Sequence, residues 1–226
     1  MNLNKIGLVF LLGLLMSCSE IKEASLNNFA VDDDVFESGK SLVALTYGLH
    51  NLEEDKLDQT TLLIGVHGSN SRGYEWVYPL QRLNQDENLV SFYRWNDNSC
   101  PGPSVTSLHS LIKTKLEDSP NINKVIIVGH SYGGLLVASF VGEWDFDISL
   151  EAHSVAGPLK GMGMLNRACN YQVPTSIGSD IKFYQWRTIK ELDGAFKDLD
   201  YDPQVLEIEN SIVTRLPETY KGNKLG

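Results

Sequence analysis

Five consecutive residues, Gly129-His130-Ser131-Tyr132-Gly133, carry the spacing G-x-S-x-G. They follow the apolar run Lys124-Val125-Ile126-Ile127-Val128 and precede Leu135-Leu136-Val137-Ala138-Ser139-Phe140-Val141. A strand, a sharp turn and a helix are expected in that order. A serine on such a turn sits in strained backbone, and flanking glycines remove side chains that would collide there. Its hydroxyl then stands at the carboxyl end of the sheet, above a helix N-terminus that favours developing negative charge. The chemistry is nucleophilic: Ser131 attacks an electrophilic carbonyl once a base takes its proton. The apolar flanks, more than the pentapeptide, give the motif its specificity.

A second segment, Gly65-Val66-His67-Gly68-Ser69-Asn70, ends an earlier apolar run that begins at Thr61. It resembles the His-Gly loop that supplies half of the oxyanion hole in α/β-hydrolases. The groups required are backbone N–H donors in a glycine-permitted turn. The donors are expected on Ser69 and on Tyr132, the residue after the nucleophile. His67 itself is read as structural. With a helix, a strand and a helix between the two motifs, the chain from about Leu42 onward resembles a small lipase- or esterase-like α/β-hydrolase. That resemblance implies an acyl-enzyme mechanism with no metal and no organic cofactor.

It also implies an acid after a strand that follows the serine, and then a histidine after the last strand. The loop Ala156 to Ala168 holds no Asp or Glu. The next candidate loop holds Glu191 and Asp193. Asp193 trails Phe183-Tyr184-Gln185-Trp186-Arg187 and precedes a turn-forming glycine, and Glu191 is the alternative. The histidine is missing. All five histidines, His50, His67, His109, His130 and His153, come before the acid in chain order. His130 adjoins Ser131, and neighbouring side chains on such a turn diverge. His50 and His109 have nothing tying them to the site. His153 lies near the carboxyl end of the strand expected beside Ser131, where a reach is conceivable, but a packed sheet histidine is the plainer reading. The last residues, Lys221-Gly222-Asn223-Lys224-Leu225-Gly226, fall where a base-bearing loop is due. An incomplete sequence or a truncated, defective hydrolase is therefore expected.

The elements that must position these residues alternate. Strands are expected at Ser41–Tyr47, Thr61–His67, Leu89–Trp95, Lys124–Val128, Ile148–Val155, Ile181–Arg187 and Val205–Thr214. Helices are expected at Tyr74–Leu83, Ser104–Glu117 and Tyr132–Val141. The fold class is α/β, a small and mostly parallel sheet with helices on both faces. The segment Gly157 to Leu165 occupies a lid position, and Met162, Met164 and Leu165 are candidates to line an acyl pocket. Cys100 and Cys169 both follow strand ends on the presumed active side, so a disulfide between them is a candidate. Their strands stand about three spacings, or about 14 Å, apart, so the loops have to converge.

The N-terminus reads as an address. Residues 1–17 form a short charged region and an apolar run too short to span a ~30 Å hydrocarbon core. The run ends in Leu15-Met16-Ser17-Cys18, which resembles a bacterial lipobox. Cys18 is then the lipidated, palmitate-bearing residue, and Ser19 after it fits an outer-membrane destination in the envelope of a Gram-negative cell. Residues 18–40 are acidic and read as a tether of about 25 Å r.m.s. span. Residues 41–226 form the catalytic-type domain, expected as a monomer. The 19 basic against 29 acidic side chains, a net charge of −10, exclude phosphate-backbone binding to nucleic acid. Three cysteines are too few for a disulfide scaffold, and no C-x-x-C pair proposes a zinc site. The expected partners are a membrane, through the lipid, and an ester or lipid substrate. The competing class is a surface lipoprotein that keeps the fold and binds without turnover.

Overall fold

The computed structural model describes residues 24–32, 34–163, 168–173 and 175–225. Seven strands form one sheet in the order β1-β3-β2-β4-β5-β6-β7. They are β1 (Gly48–Asn51), β2 (Thr61–Val66), β3 (Asn88–Arg94), β4 (Lys124–His130), β5 (Ser149–Val155), β6 (Ile181–Arg187) and β7 (Ile212–Arg215). Every neighbouring pair is parallel except β1 with β3. A two-stranded hairpin, β8 (Thr219–Tyr220) with β9 (Asn223–Lys224), follows. Four α-helices lie wholly within the described residues: α1 (Val35–Ala44), α2 (Tyr74–Leu83), α3 (Pro101–Asp118) and α4 (Tyr132–Val141). This is the mostly parallel α/β sheet that the alternation predicts, in the arrangement that the resemblance to α/β-hydrolases implies.

Burial follows the residues available. Every residue of β2, Thr-Leu-Leu-Ile-Gly-Val, is buried, because this central strand is covered on both faces. Helix α4 has no charged residue, and nine of its ten residues are buried between β4, β5 and α3. Strand β4 alternates. Val125, Ile127 and Gly129 are buried, while Ile126 and Val128 are half-buried and His130 is exposed on the other face. On that second face Ile126, Val128, Val155, Trp186 and Leu216 line a groove of about 560 Å³.

Three expectations are corrected. The early strand at Ser41–Tyr47 is instead the end of α1, followed by β1. Ser38, Gly39 and Leu42 are buried on one face of α1, and that helical period overrides the local alternation. Gly39 is needed there, since a Cβ would come within 2.2 Å of the Tyr74 backbone nitrogen. The acidic stretch up to Lys40 is not free along its length. Ala24, Leu26 and Phe29 are buried against Leu52, Trp76 and Leu80, and Gln81 donates to the carbonyls of Leu26 and Phe29. The last strand shrinks to Ile212–Arg215, because Asn210 turns the chain at φ +67° two residues before it.

Residues 1–17, read as a signal, and Cys18 lie outside the described residues. So do Met164 and Leu165.

Candidate active site

Ser131 joins β4 to α4 at φ +54° and ψ −121°, a conformation that costs a non-glycine residue of order 1–3 kcal/mol. The turn persists because its surroundings leave no other path. The Ser131 N–H donates to Val155 O at 2.8 Å, and its carbonyl accepts from Gly134 and Leu135. A Cβ at Gly129 would stand 2.3 Å from Gly133 O, and one at Gly134 2.7 Å from Ser154 Oγ. The two glycines let helix and strand close up under the serine.

The loop after β2 reaches the same point. A Cβ on Gly68 would lie 3.0 Å from Ser131 Cβ and 3.6 Å from its Oγ. The N–H groups of Ser69 and Tyr132 make no hydrogen bond among the described residues; that of Tyr132 is an orphan of the first helical turn. Both residues line, with Ser131, a cavity of about 770 Å³. Pro158, Met162, Ala195 and Phe196 supply much of its apolar wall, as does the bonded pair Cys100 and Cys169. Leu159, from the same segment, packs in the core. The cysteines form a disulfide with Cα atoms 5.3 Å apart, so the two loops do converge across the strands between them.

Asp193 follows β6 after a short 3-10 turn and is 8 % exposed. Its carboxylate accepts from Thr188 Oγ1 at 2.6 Å and from the Ala195 N–H at 2.9 Å. Glu191, the alternative to Asp193, is exposed, with no side-chain hydrogen bond among the described residues.

No histidine completes the set. Ser131 Oγ makes no hydrogen bond among the described residues, which include all five histidines. His50 bonds Thr46 O, and His109 bonds Asp145 at 2.7 Å. His153 is the packed sheet histidine, stacked on Tyr184 at 4.7 Å and accepting from Trp186 Nε1 at 3.1 Å. It faces the groove rather than the cavity. Burial lowers its pKa, against the pull of Glu151. His130 lies on the groove side of β4 as well. Crowding by surrounding atoms lowers its pKa against Glu75 and Asp193, although its ring keeps solvent contact that tempers the effect.

Sequence reasoning missed Arg94, Asp97 and Thr188. The signal for Arg94 lay in the parallel register, which sets Tyr93 beside Val66 and so brings Arg94 next to His67. Asp97 and Thr188 act through loop geometry that no spacing encodes.

Among solved structures, the chain resembles Est1E from Butyrivibrio proteoclasticus at 12% identity and a TM-score of 0.51, covering 75% of this chain and 82% of that one. An α/β serine hydrolase without a lid from Xanthomonas campestris aligns at 14% identity and a TM-score of 0.48, covering 76% and 77%. A phospholipase/carboxylesterase from Dyadobacter fermentans aligns at 14% and 0.46, covering 78% and 91%. No family model matches the sequence, and no curated protein matches it. At such identities the likeness to Est1E speaks for the fold alone. The fold is α/β-hydrolase-like, with esterases among its structural neighbours.

Proposed function

We propose that the chain carries a serine-hydrolase site for carboxylic esters and is held at a bacterial membrane by a lipid on Cys18. One observation carries the catalytic reading: Ser131 at φ +54° with the unengaged N–H groups of Ser69 and Tyr132 beside it over an apolar cavity. Ser131 Oγ adds to the ester carbonyl while its proton passes to a base, and the oxyanion rests on the two N–H groups. Collapse expels the alcohol, which takes that proton and leaves an acyl-serine. Water then adds, and the acid departs as Ser131 regains its proton. We assign the orienting of an imidazole to Asp193, whose carboxylate Thr188 and the Ala195 N–H hold in place. None of the chain's five histidines is hydrogen-bonded to Ser131, so turnover by these residues alone is residual, drawn from the oxyanion hole and binding.

The same gap favours a second reading, a ligand-binding protein built on the fold. A fluorophosphonate probe separates the two. The hydrolase reading expects slow labelling that added imidazole accelerates and Ser131→Ala abolishes. Folded protein that stays unlabelled with imidazole present supports the binder. The anchor is tested separately by fractionation: Cys18→Ala should move the protein out of the membrane fraction.

A further inference from the structure

We propose that His67 is a positioning residue, one that aims the Ser69 N–H into the oxyanion hole and is itself locked in place by Arg94. The inference rests on the hydrolase reading and adds to it two residues outside the reacting set.

Hydrogen-bond partners fix the state of the His67 ring. Arg94 Nη1 lies 2.8 Å from His67 Nε2, and the Trp95 N–H lies 3.3 Å from the same atom. Neither partner has a lone pair to offer, so Nε2 is the acceptor and carries no proton. Nδ1 lies 2.8 Å from Gly68 O, an atom that only accepts, so Nδ1 holds the proton and donates. The ring is neutral, 1 % exposed, and stacked near Phe92 at 5.8 Å. Burial and then Arg94 push its pKa down, against the Gly68 hydrogen bond and the carboxylates of Asp97 and Glu75.

The consequence follows from peptide geometry. Gly68 C=O and Ser69 N–H belong to one trans peptide, so they point in opposite directions. With the carbonyl tied inward to His67, the N–H faces outward, where Ser69 and Ser131 line the cavity together. The next peptide is pinned as well, since the Asn70 N–H donates to Asp97 Oδ2 at 2.6 Å. On the other side, Trp95 Nε1 donates to His67 O at 2.9 Å. Arg94 is held in turn by its bonds to Trp95 O and Val43 O. Flipping the Gly68–Ser69 peptide would break the bond to Nδ1 and present a carbonyl to the oxyanion.

The test uses the full chain and two amide substitutions. His67→Asn sets an N–H near the Nδ1 position; His67→Gln sets its amide near Nε2 and leaves Gly68 O unheld. Imidazole-assisted fluorophosphonate labelling of Ser131 should fall about tenfold to a hundredfold in His67→Gln and Arg94→Met, and His67→Asn should recover most of it at comparable thermal stability. Nitrogen NMR of the His67 ring should show Nδ1 protonated and Nε2 bare. Equal labelling by the Asn and Gln variants, or a proton on Nε2, overturns the proposal. If the parent protein does not label at all, the hydrolase reading fails and the Ser69 amide resonance decides. A shift in His67→Gln that His67→Asn restores supports the positioning role; an unmoved resonance ends it.

Discussion

A methyl group on Gly133 would lie 2.3 Å from the carbonyl oxygen of Val66, so α4 and the end of β2 meet through bare backbone. The same methyl would stand 2.5 Å from His67 O. The helix start that follows Ser131 and the loop that offers Ser69 are thereby set at one distance.

Gly133→Ala should therefore separate the two halves of the oxyanion hole. Overpacking of this kind costs about 1–3 kcal/mol, and neither neighbour is a side chain that can swing away. Chemical denaturation should show a loss in that range, with imidazole-assisted labelling of Ser131 falling well beyond what reduced stability explains. Labelling at the parental rate would show that the loop and helix tolerate the extra separation.

The sequence exposes the need for Gly133 but not what it meets: a glycine two residues past a serine, between apolar runs, has few other uses, whereas Val66 lies far away in the chain. Strand β2 is legible because burial of a parallel strand on both faces demands continuous apolar residues, β4 because of its Val-Ile-Ile-Val run, and β6 because apolar and aromatic residues outnumber its polar ones. The segment Val35–Ala44 hides its helix because only Ser38, Gly39 and Leu42 mark the inward face, and two of those are not apolar. Pairing of Cys100 with Cys169 depends on loops that cross the strands between them, which spacing does not encode. Thr188 and Asp97 are invisible in the same way: Thr188 bonds Asp193 and Gln204, and Asp97 holds the Asn70 N–H from a separate loop.

The disulfide closes 69 residues of chain and joins the N-cap of α3 to the wall of the cavity. On chain-entropy grounds a loop of this size stabilises by up to about 4 kcal/mol. Cys100→Ser together with Cys169→Ser should lower the urea midpoint and loosen the segment around Met162, read as faster hydrogen exchange there. A double variant as stable as the parent would mean that loop closure contributes nothing in this protein.

Stability should fall as the solution is acidified from neutrality. Burial lowers the pKa of His67 and of His153, the first despite its bond to Gly68 and the second despite Glu151. Below about pH 6.5 the unfolded chain takes up protons that the folded one refuses. The stabilisation is thus complete above that pH and is lost as pH drops through the lower folded values. Each such histidine contributes a slope of at most about 1.4 kcal/mol per pH unit, and His130 acts in the same sense. Asp55 and Glu151 are held low by Lys115 and Lys124 against the upward push of burial, so their losses begin only in the carboxylate range near pH 4. Thermal melts from pH 8 to 5 should slope downward, and His153→Phe should flatten part of that slope. A flat profile across this range would contradict the buried neutral histidines.

Asp193 and Glu191 lie two positions apart, and their surroundings assign them different work. Asp193 is buried with one oxygen on the Ala195 N–H and the other on Thr188 Oγ1, a fixed carboxylate beside the segment that lines the cavity. Glu191 points to solvent, with no such support among the described residues. An imidazole brought in from solution gains orientation only from a carboxylate that is itself held. Asp193→Asn should therefore cut the imidazole-assisted labelling of Ser131 by about tenfold or more while keeping an acceptor for Thr188. Thr188→Val should reproduce part of that loss by freeing the carboxylate to turn. Glu191→Gln should label at the parental rate. If Glu191→Gln lost labelling and Asp193→Asn kept it, the acid would have to be reassigned to Glu191, and the buried carboxylate would be left with a purely structural role.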